Sequence, residues 1–335
     1  MHIAIDITPL ESAHSGRGIG IYTKNLISAL QKYGSHHSYS FFTRKQKVPD
    51  KADIVHYPYF DPFFLTLPLV KTKPAVVTVH DLIPLVFPDK FPVGLRGNIK
   101  WQIQKQSLRG AKRIIADSQC SKNDVSKITG IDKSLIDVIY LAPDPTCMST
   151  ARKRISTPYF LYVGDVNWNK NIPGLLRAFE DVPHSELVLV GGAFTDTTLA
   201  ETIVINSLIS VLGIEHRIKR VGRVTSKKLT ELYSGATALI QPSFYEGFGL
   251  PVLEAFACGS PVVASMSSSL REIAGPAIRV QPDNIESIAD GMKYVLSLSS
   301  DARKNLIGEG DKWVTQFTWQ KVARETVLAY EKALG

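Results

Sequence analysis

Cysteine is almost absent: Cys120, Cys147 and Cys258 are the only three in 335 residues. They are too few and too scattered for a disulfide framework or a zinc site, and read as buried or idle thiols. Long apolar runs are missing as well. None approaches the ~18 residues of a membrane-spanning helix. No basic-then-apolar leader stands before the strand-like run His2 to Ile7, so a cytosolic protein is expected. Acidic residues are missing from two stretches, 31–49 and 90–116. The remaining composition is ordinary for a globular chain, 44% hydrophobic and 21% charged, and the length suits about two domains.

The net charge of +8 is unevenly placed. Residues 1–155 hold 22 Lys and Arg against 12 Asp and Glu, while residues 156–335 hold 17 against 19. A basic half can meet nucleic acid, but no nucleic-acid motif accompanies it, and no such partner is expected. The acid-free run 90–116 carries seven basic residues among Trp101, Ile103 and Leu108. On a helix, Lys105, Arg109, Lys112 and Arg113 would share one face. Such a face suits an anionic membrane or plain solvent.

The chain is organised around residues 236–265. Ala236 to Ile240 reads as a buried strand, Glu246-Gly247-Phe248-Gly249 as a loop, Leu250-Pro251 as a helix start, and Pro261 to Ala264 as a second strand. Free N–H groups of the loop and first helical turn would face one way, at the positive end of a helix dipole. Glu246 and Glu254 bracket that anion site with seven residues between them. A carboxylate beside phosphate needs a hydroxyl donor to hold, so the local chemistry suits a ligand carrying phosphate and polyol together.

Elsewhere strands alternate with helices in both halves, which indicates two doubly wound α/β domains. The loop Ser15-Gly-Arg-Gly-Ile-Gly20 follows the first strand. Its G-x-G-x-G spacing and the absence of an acid over 31–49 argue against a dinucleotide site and an NADP-dependent oxidoreductase. Strands near 39–43, 54–57 and 75–79 follow, and the last ends in His80-Asp81. A histidine there can contact a ligand, or serve only its loop, capped by Asp81. Residues 143–158, with three prolines and Arg152-Lys153-Arg154, read as a linker. Lys170 follows the strand 159–163. The last helix starts after Thr318 as cap, with Phe317 and Val322 at staple positions.

The run Pro242-Ser243, Glu246 to Pro251 and Glu254-Ala255 closely resembles the E-x7-E block of retaining, nucleotide-sugar-dependent glycosyltransferases of the GT-B fold, family 4. The resemblance spans nearly the whole chain and is nearest to bacterial mannosyltransferases making surface polysaccharide. It implies two Rossmann-like domains facing across a cleft: an acceptor domain over 1–150, a donor domain over 156–317, and a last helix, 318–335, crossing back to the first. It implies that His80 orients the donor sugar with Asp81 as support, that Lys170 binds phosphate, and that Glu246 and Glu254 hold sugar and ribose hydroxyls. Gly18, Gly20, Asn169, Gly222, Arg223, Gly247, Phe248, Gly249 and Leu250 would line the donor site. An arginine that many relatives carry beside the lysine is replaced here by Asp165 and Asn169, leaving Lys170 and the helix dipole to neutralise the diphosphate. No D-x-D occurs, in agreement with transfer that needs neither metal nor cofactor. The implied donor is a nucleoside-diphosphate sugar, first GDP-mannose, and the acceptor a glycan or lipid-linked glycan. A sugar-nucleotide epimerase or a non-catalytic sugar-nucleotide binder of the same fold remains the alternative.

Overall fold

The computed structural model describes residues 1–12, 15–16, 18–148 and 158–335. The chain divides into two compact units, Met1–Ala142 with Phe317–Gly335, and Pro143–Gln316. Each is an all-parallel α/β layer structure, as the alternating pattern predicts.

The first unit holds β1 (His2–Asp6), β2 (Ser38–Phe42), β3 (Ile54–Tyr57), β4 (Ala75–Val79), β5 (Arg113–Ala116) and β6 (Ile136–Val138). Their order is β2-β1-β3-β4-β5-β6. Its helices are α1 (Gly18–Tyr33), α2 (Ile83–Val86), α3 (Leu95–Arg109) and α4 (Gln119–Thr129). β3 and β4 are buried at every position. Both faces of the sheet are covered, so these strands do not alternate apolar with polar residues, and His56 and Thr78 are their buried polar positions.

The second unit repeats the plan with β7 (Tyr159–Val163), β8 (Glu186–Val190), β9 (Ile218–Val221), β10 (Ala238–Gln241), β11 (Val262–Ser265) and β12 (Ile278–Val280), in the order β12-β11-β10-β7-β8-β9. Its helices are α5 (Ile172–Glu180), α6 (Ala200–Val211), α7 (Ser226–Gly235), α8 (Leu250–Ala257), α9 (Leu270–Ile273), α10 (Ile285–Ser297) and α11 (Ser300–Val314). The final helix, α12 (Trp319–Leu334), belongs to the first unit and packs on α1, β4 and β5. Thr318 caps it by accepting from Lys321 N–H, and Phe317 and Val322 are buried beside the cap.

Two expectations change. Pro143–Met148, assigned from sequence to the first domain and its linker, belong to the second unit. Buried Cys147 anchors them, its carbonyl accepting from Cys258 Sγ at 3.6 Å. The cluster Arg152-Lys153-Arg154 lies outside the described residues. The expected basic face at 105–113 does not form, because α3 ends at Arg109. Lys112 lies beyond the helix, and Arg113 opens β5 with its guanidinium 2.8 Å from Asp137. Among the described residues no helix is long and apolar enough to cross a membrane.

Candidate active site

In open parallel sheets ligands gather outside the carboxyl ends of strands, where the strand order reverses. In the second unit that point lies between β7 and β10. Lys170 follows β7 and Glu246 follows β10, and the two meet there: Nζ lies 2.7 Å from Glu246 Oε2. The other carboxylate oxygen accepts from Gln241 Nε2 and Ser243 Oγ, each at 2.7 Å. Three donors therefore hold a side chain that is only 5% exposed, which satisfies a buried charge.

The loop is fastened from two sides. Asn169 O accepts from Phe244 N–H and Tyr245 N–H, while Asn169 Nδ2 donates to Tyr245 O at 2.9 Å. Asn169, expected at the donor, is thus buried and spent on the loop. Ser268 Oγ accepts from Glu246 N–H, and Ser269 Oγ donates to the carbonyls of Glu246 and Phe248. The N–H groups of residues 244–246 are accordingly bonded inside the protein, so the expected fan of ligand-facing donors is shorter than the loop. Gly249 has φ +100°, and a Cβ there would stand 2.6 Å from Leu270 Cδ2. Only glycine turns the chain here into Leu250 and the first turn of α8. No side chain caps that helix.

Glu254 lies within α8, also buried at 7% exposure. It accepts from Tyr233 O–H at 2.8 Å. Burial pushes its carboxyl up to about 7; the Tyr233 bond opposes this and nearby Asp144 adds to it. Gly222 and Arg223 follow β9, and Arg223 lies across Gly192, where a Cβ would stand 3.1 Å from Nε.

The first unit builds a different cluster. Gly18 opens α1 with open space around it, and Gly20 is buried one half-turn on. His80 stands just past β4. Val79 pairs with Ala116 in register, so the next position along brings His80 beside Asp117. Nδ1 lies 2.6 Å from Asp117 Oδ2 and Nε2 lies 3.1 Å from Pro58 O. Asp81, expected to support His80, accepts from Ile83 N–H at the start of α2, and its charge also acts on His80. Behind His80 runs a buried polar chain. The Tyr22 ring meets His80 edge-on at 4.7 Å, Tyr22 O–H bonds Thr78, Thr78 bonds His56, and His56 bonds Tyr330 of α12.

Asp117, Tyr233, Gln241 and Ser268 touch the candidate site residues and were not singled out from the sequence, and Ser243 was named there only as part of the motif. For Asp117 a signal existed, since it follows β5 by one position as His80 follows β4. Gln241 and Ser243 stand five and three residues before Glu246, while Tyr233 and Ser268 arrive only through tertiary contact.

Comparison with known proteins agrees with this architecture. The family described as Glycosyl transferases group 1 matches residues 150–313, and Glycosyltransferase Family 4 matches residues 35–146. O-antigen chain mannosyltransferase B of Escherichia coli is 29% identical over 271 residues, covering 77% of this chain and 70% of the relative. O-antigen chain mannosyltransferase RfbU of Salmonella typhimurium is 27% identical over 259 residues, 72% and 70% of the two chains. Among solved structures, Anabaena Alr3699/HepE in complex with UDP-glucose aligns with a TM-score of 0.75 at 17% identity, covering 98% of this chain and 99% of the other. These matches do not favour the oxidoreductase or epimerase readings. The chain belongs to the family 4, group 1 glycosyltransferases: it is a glycosyltransferase of two Rossmann-like domains, the GT-B fold.

Proposed function

We propose that the protein transfers a hexose, with mannose from GDP-mannose as the first candidate, to a glycan or lipid-linked glycan in surface polysaccharide synthesis, with retention of configuration. The observation that carries this reading is the Lys170–Glu246 pair beside the uncapped start of α8. A cation, a helix N-terminus and an anchored carboxylate are the parts that a sugar diphosphate needs. In this reading the residue 247–252 backbone and Lys170 meet the diphosphate, Glu246 a sugar hydroxyl and Glu254 the ribose. Gly222 and Arg223 meet the base. Gly18, Gly20 and His80 serve the transfer from the first domain. Glu246 already has both oxygens bound to three donors, which suits a positioning carboxylate and not a covalent nucleophile. A front-face reaction fits, in which the leaving phosphate accepts the acceptor's proton as the new glycosidic bond forms. The mannosyltransferase names of the two bacterial relatives support the choice of sugar.

A thermal-shift screen of nucleotide sugars tests this. A ligand at 100 times its Kd stabilises the folded chain by about 2.7 kcal/mol. GDP-mannose should give the largest shift. A larger shift with a uridine sugar replaces the donor, and no shift with any nucleotide sugar removes the proposal. Transfer should survive EDTA; loss of activity restored by manganese would contradict the metal-independent part.

A membrane surface is the second proposed partner, on a specific observation. Phe64, Leu65, Leu69, Val70, Leu95 and Ile99 are each more than half exposed. They lie on two adjoining segments: Lys100 Nζ stands 5.4 Å from the Phe64 ring centre, and Gln104 of α3 bonds Thr66 and Leu67. Leu95 and Ile99 lie in the acid-free basic segment 90–116 and the other four beside it, and exposed apolar side chains next to basic ones suit an anionic bilayer from a cytosolic side. Binding to anionic vesicles should fall with salt and fall further when Phe64, Leu69 and Ile99 become Ser. Equal binding to neutral vesicles would reject it.

A further inference from the structure

His80 has no ring nitrogen to spare. Nε2 lies 3.1 Å from Pro58 O, and a carbonyl only accepts, so Nε2 carries a hydrogen. Nδ1 lies 2.6 Å from Asp117 Oδ2; burial raises the Asp117 carboxyl while the charge and hydrogen bond of His80 oppose that rise, and with the carboxylate ionised Nδ1 carries the second hydrogen. A ring held between two acceptors is an imidazolium. We propose that Asp117 is a positioning residue for glycosyl transfer: it keeps His80 doubly protonated and in one orientation, so that Nε2–H is a standing donor which a ligand oxygen takes over from the Pro58 carbonyl. This rests on the function proposed above.

The surroundings agree. Tyr22 faces His80 from α1, His56 from β3, Asp81 from its own loop and Asp117 from the end of β5, while Ser121 Oγ of α4 donates to the His80 carbonyl. Among these described residues the two aspartates are the acidic ones, and Asp117 bonds the ring. Burial by itself lowers an imidazole pKa. At His80 the charge and hydrogen bond of Asp117, then Asp81 and the Pro58 carbonyl, outweigh burial and raise it. His56 is an internal control. It is more deeply buried, has a hydroxyl on each nitrogen in place of a carboxylate, and is lowered to about 3 by burial and by the charge of His80.

Asp117 supplies a second observation. Its Oδ1 is buried and has no hydrogen-bond partner among the described residues, in a side chain 2% exposed. A buried carboxylate oxygen left open is costly. A hydroxyl-bearing ligand or an ordered water would satisfy it.

Long-range nitrogen–proton spectra of the intact, nitrogen-15-labelled chain test the protonation, with His80→Gln identifying the His80 signals. At pH 7.5 both ring nitrogens of His80 should be protonated, and Asp117→Asn should return the ring to a neutral tautomer. A neutral His80 in the unaltered chain, or no change in Asp117→Asn, overturns the proposal. Turnover against pH tests the role. Asp117→Asn should lose about tenfold at pH 8 and progressively less as pH falls, with Asp117→Glu restoring the alkaline side. An equal loss at every pH would make Asp117 structural only, and would overturn it. The spectra read the protonation whether or not sugar is transferred, so a chain that transfers none removes the functional reading and leaves this ion pair separately decided.

Discussion

Glu246 and Glu254 sit in one motif, seven residues apart, and are buried to nearly the same degree, 5% and 7% exposed. Their environments are nevertheless opposite. Glu246, in the loop, has a lysine, an amide and a hydroxyl on its two oxygens. Glu254, in the helix, has one phenol and a carboxyl raised to about 7 by burial. Equal depth from the surface therefore comes with unequal sets of donors, three on Glu246 and one on Glu254. The two residue types are identical in the sequence, and their roles diverge only because the Lys170 loop and Gln241 reach one of them and not the other.

The largest expected effect breaks the loop side of this comparison. Lys170→Ala leaves Glu246 buried without its cation, a change that costs about 3–5 kcal/mol in dry sites and less here, since Lys170 is one-fifth exposed. Turnover should fall by a factor on the order of 100–1000, the range for losing a group that stabilises developing charge. Glu246→Gln should lower turnover similarly and leave nucleoside diphosphate binding nearly intact, because its contact is with the transferred sugar. Calorimetry with the bare diphosphate decides it. If Glu246→Gln weakens the diphosphate as much as Glu254→Gln does, the two roles are assigned wrongly.

A smaller effect is expected on the helix side. Glu254→Gln should weaken nucleoside diphosphate and nucleotide sugar alike, by about 1.5–3 kcal/mol, the worth of a hydrogen bond to a charged group. The wild-type affinity should also rise with pH through about 7, since ribose hydroxyls donate to the ionised carboxyl. A pH-independent affinity would separate Glu254 from the ribose.

The same contrast shows what was legible in the chain. Strands such as β3, β4 and β10, and the Gly249–Pro251 helix start, could be read because buried parallel strands are plain apolar runs and glycine and proline mark their ends. The pairings at the candidate site could not be read by adjacency. Asp81 neighbours His80 in sequence, but β4–β5 register puts Asp117 against the ring. The basic residues 105–113 share a helical spacing, yet α3 stops at Arg109, so half of that pattern lies outside the helix. Ser268 and Ser269 look like ordinary loop residues until β11 brings them under the Glu246 loop. Local patterns fixed the elements, while the site depends on which strand ends become neighbours.

The smallest effect sharpens the comparison through stability. Glu254 ionises in the folded chain at about 7 against an ordinary 4.5. Folded protein therefore holds a proton that unfolded protein has lost between those values, and stability falls as pH rises across that window. Below 4.5 the residue carries no penalty, and above 7 the penalty is complete and amounts to no more than about 3 kcal/mol. Gln at 254 cannot ionise, and its carbonyl still accepts from Tyr233. Glu254→Gln should thus match the unaltered chain near pH 4.5 and melt several degrees higher at pH 8.5, at about 2–4 °C per kcal/mol for a domain of this size. Saturating nucleoside diphosphate should shrink or reverse that gap, because ribose hydroxyls satisfy the carboxylate and not the amide. Melting scans of both proteins at the two pH values, with and without ligand, check this. A gap independent of pH would mean that Glu254 is ionised throughout and that burial does not raise its carboxyl.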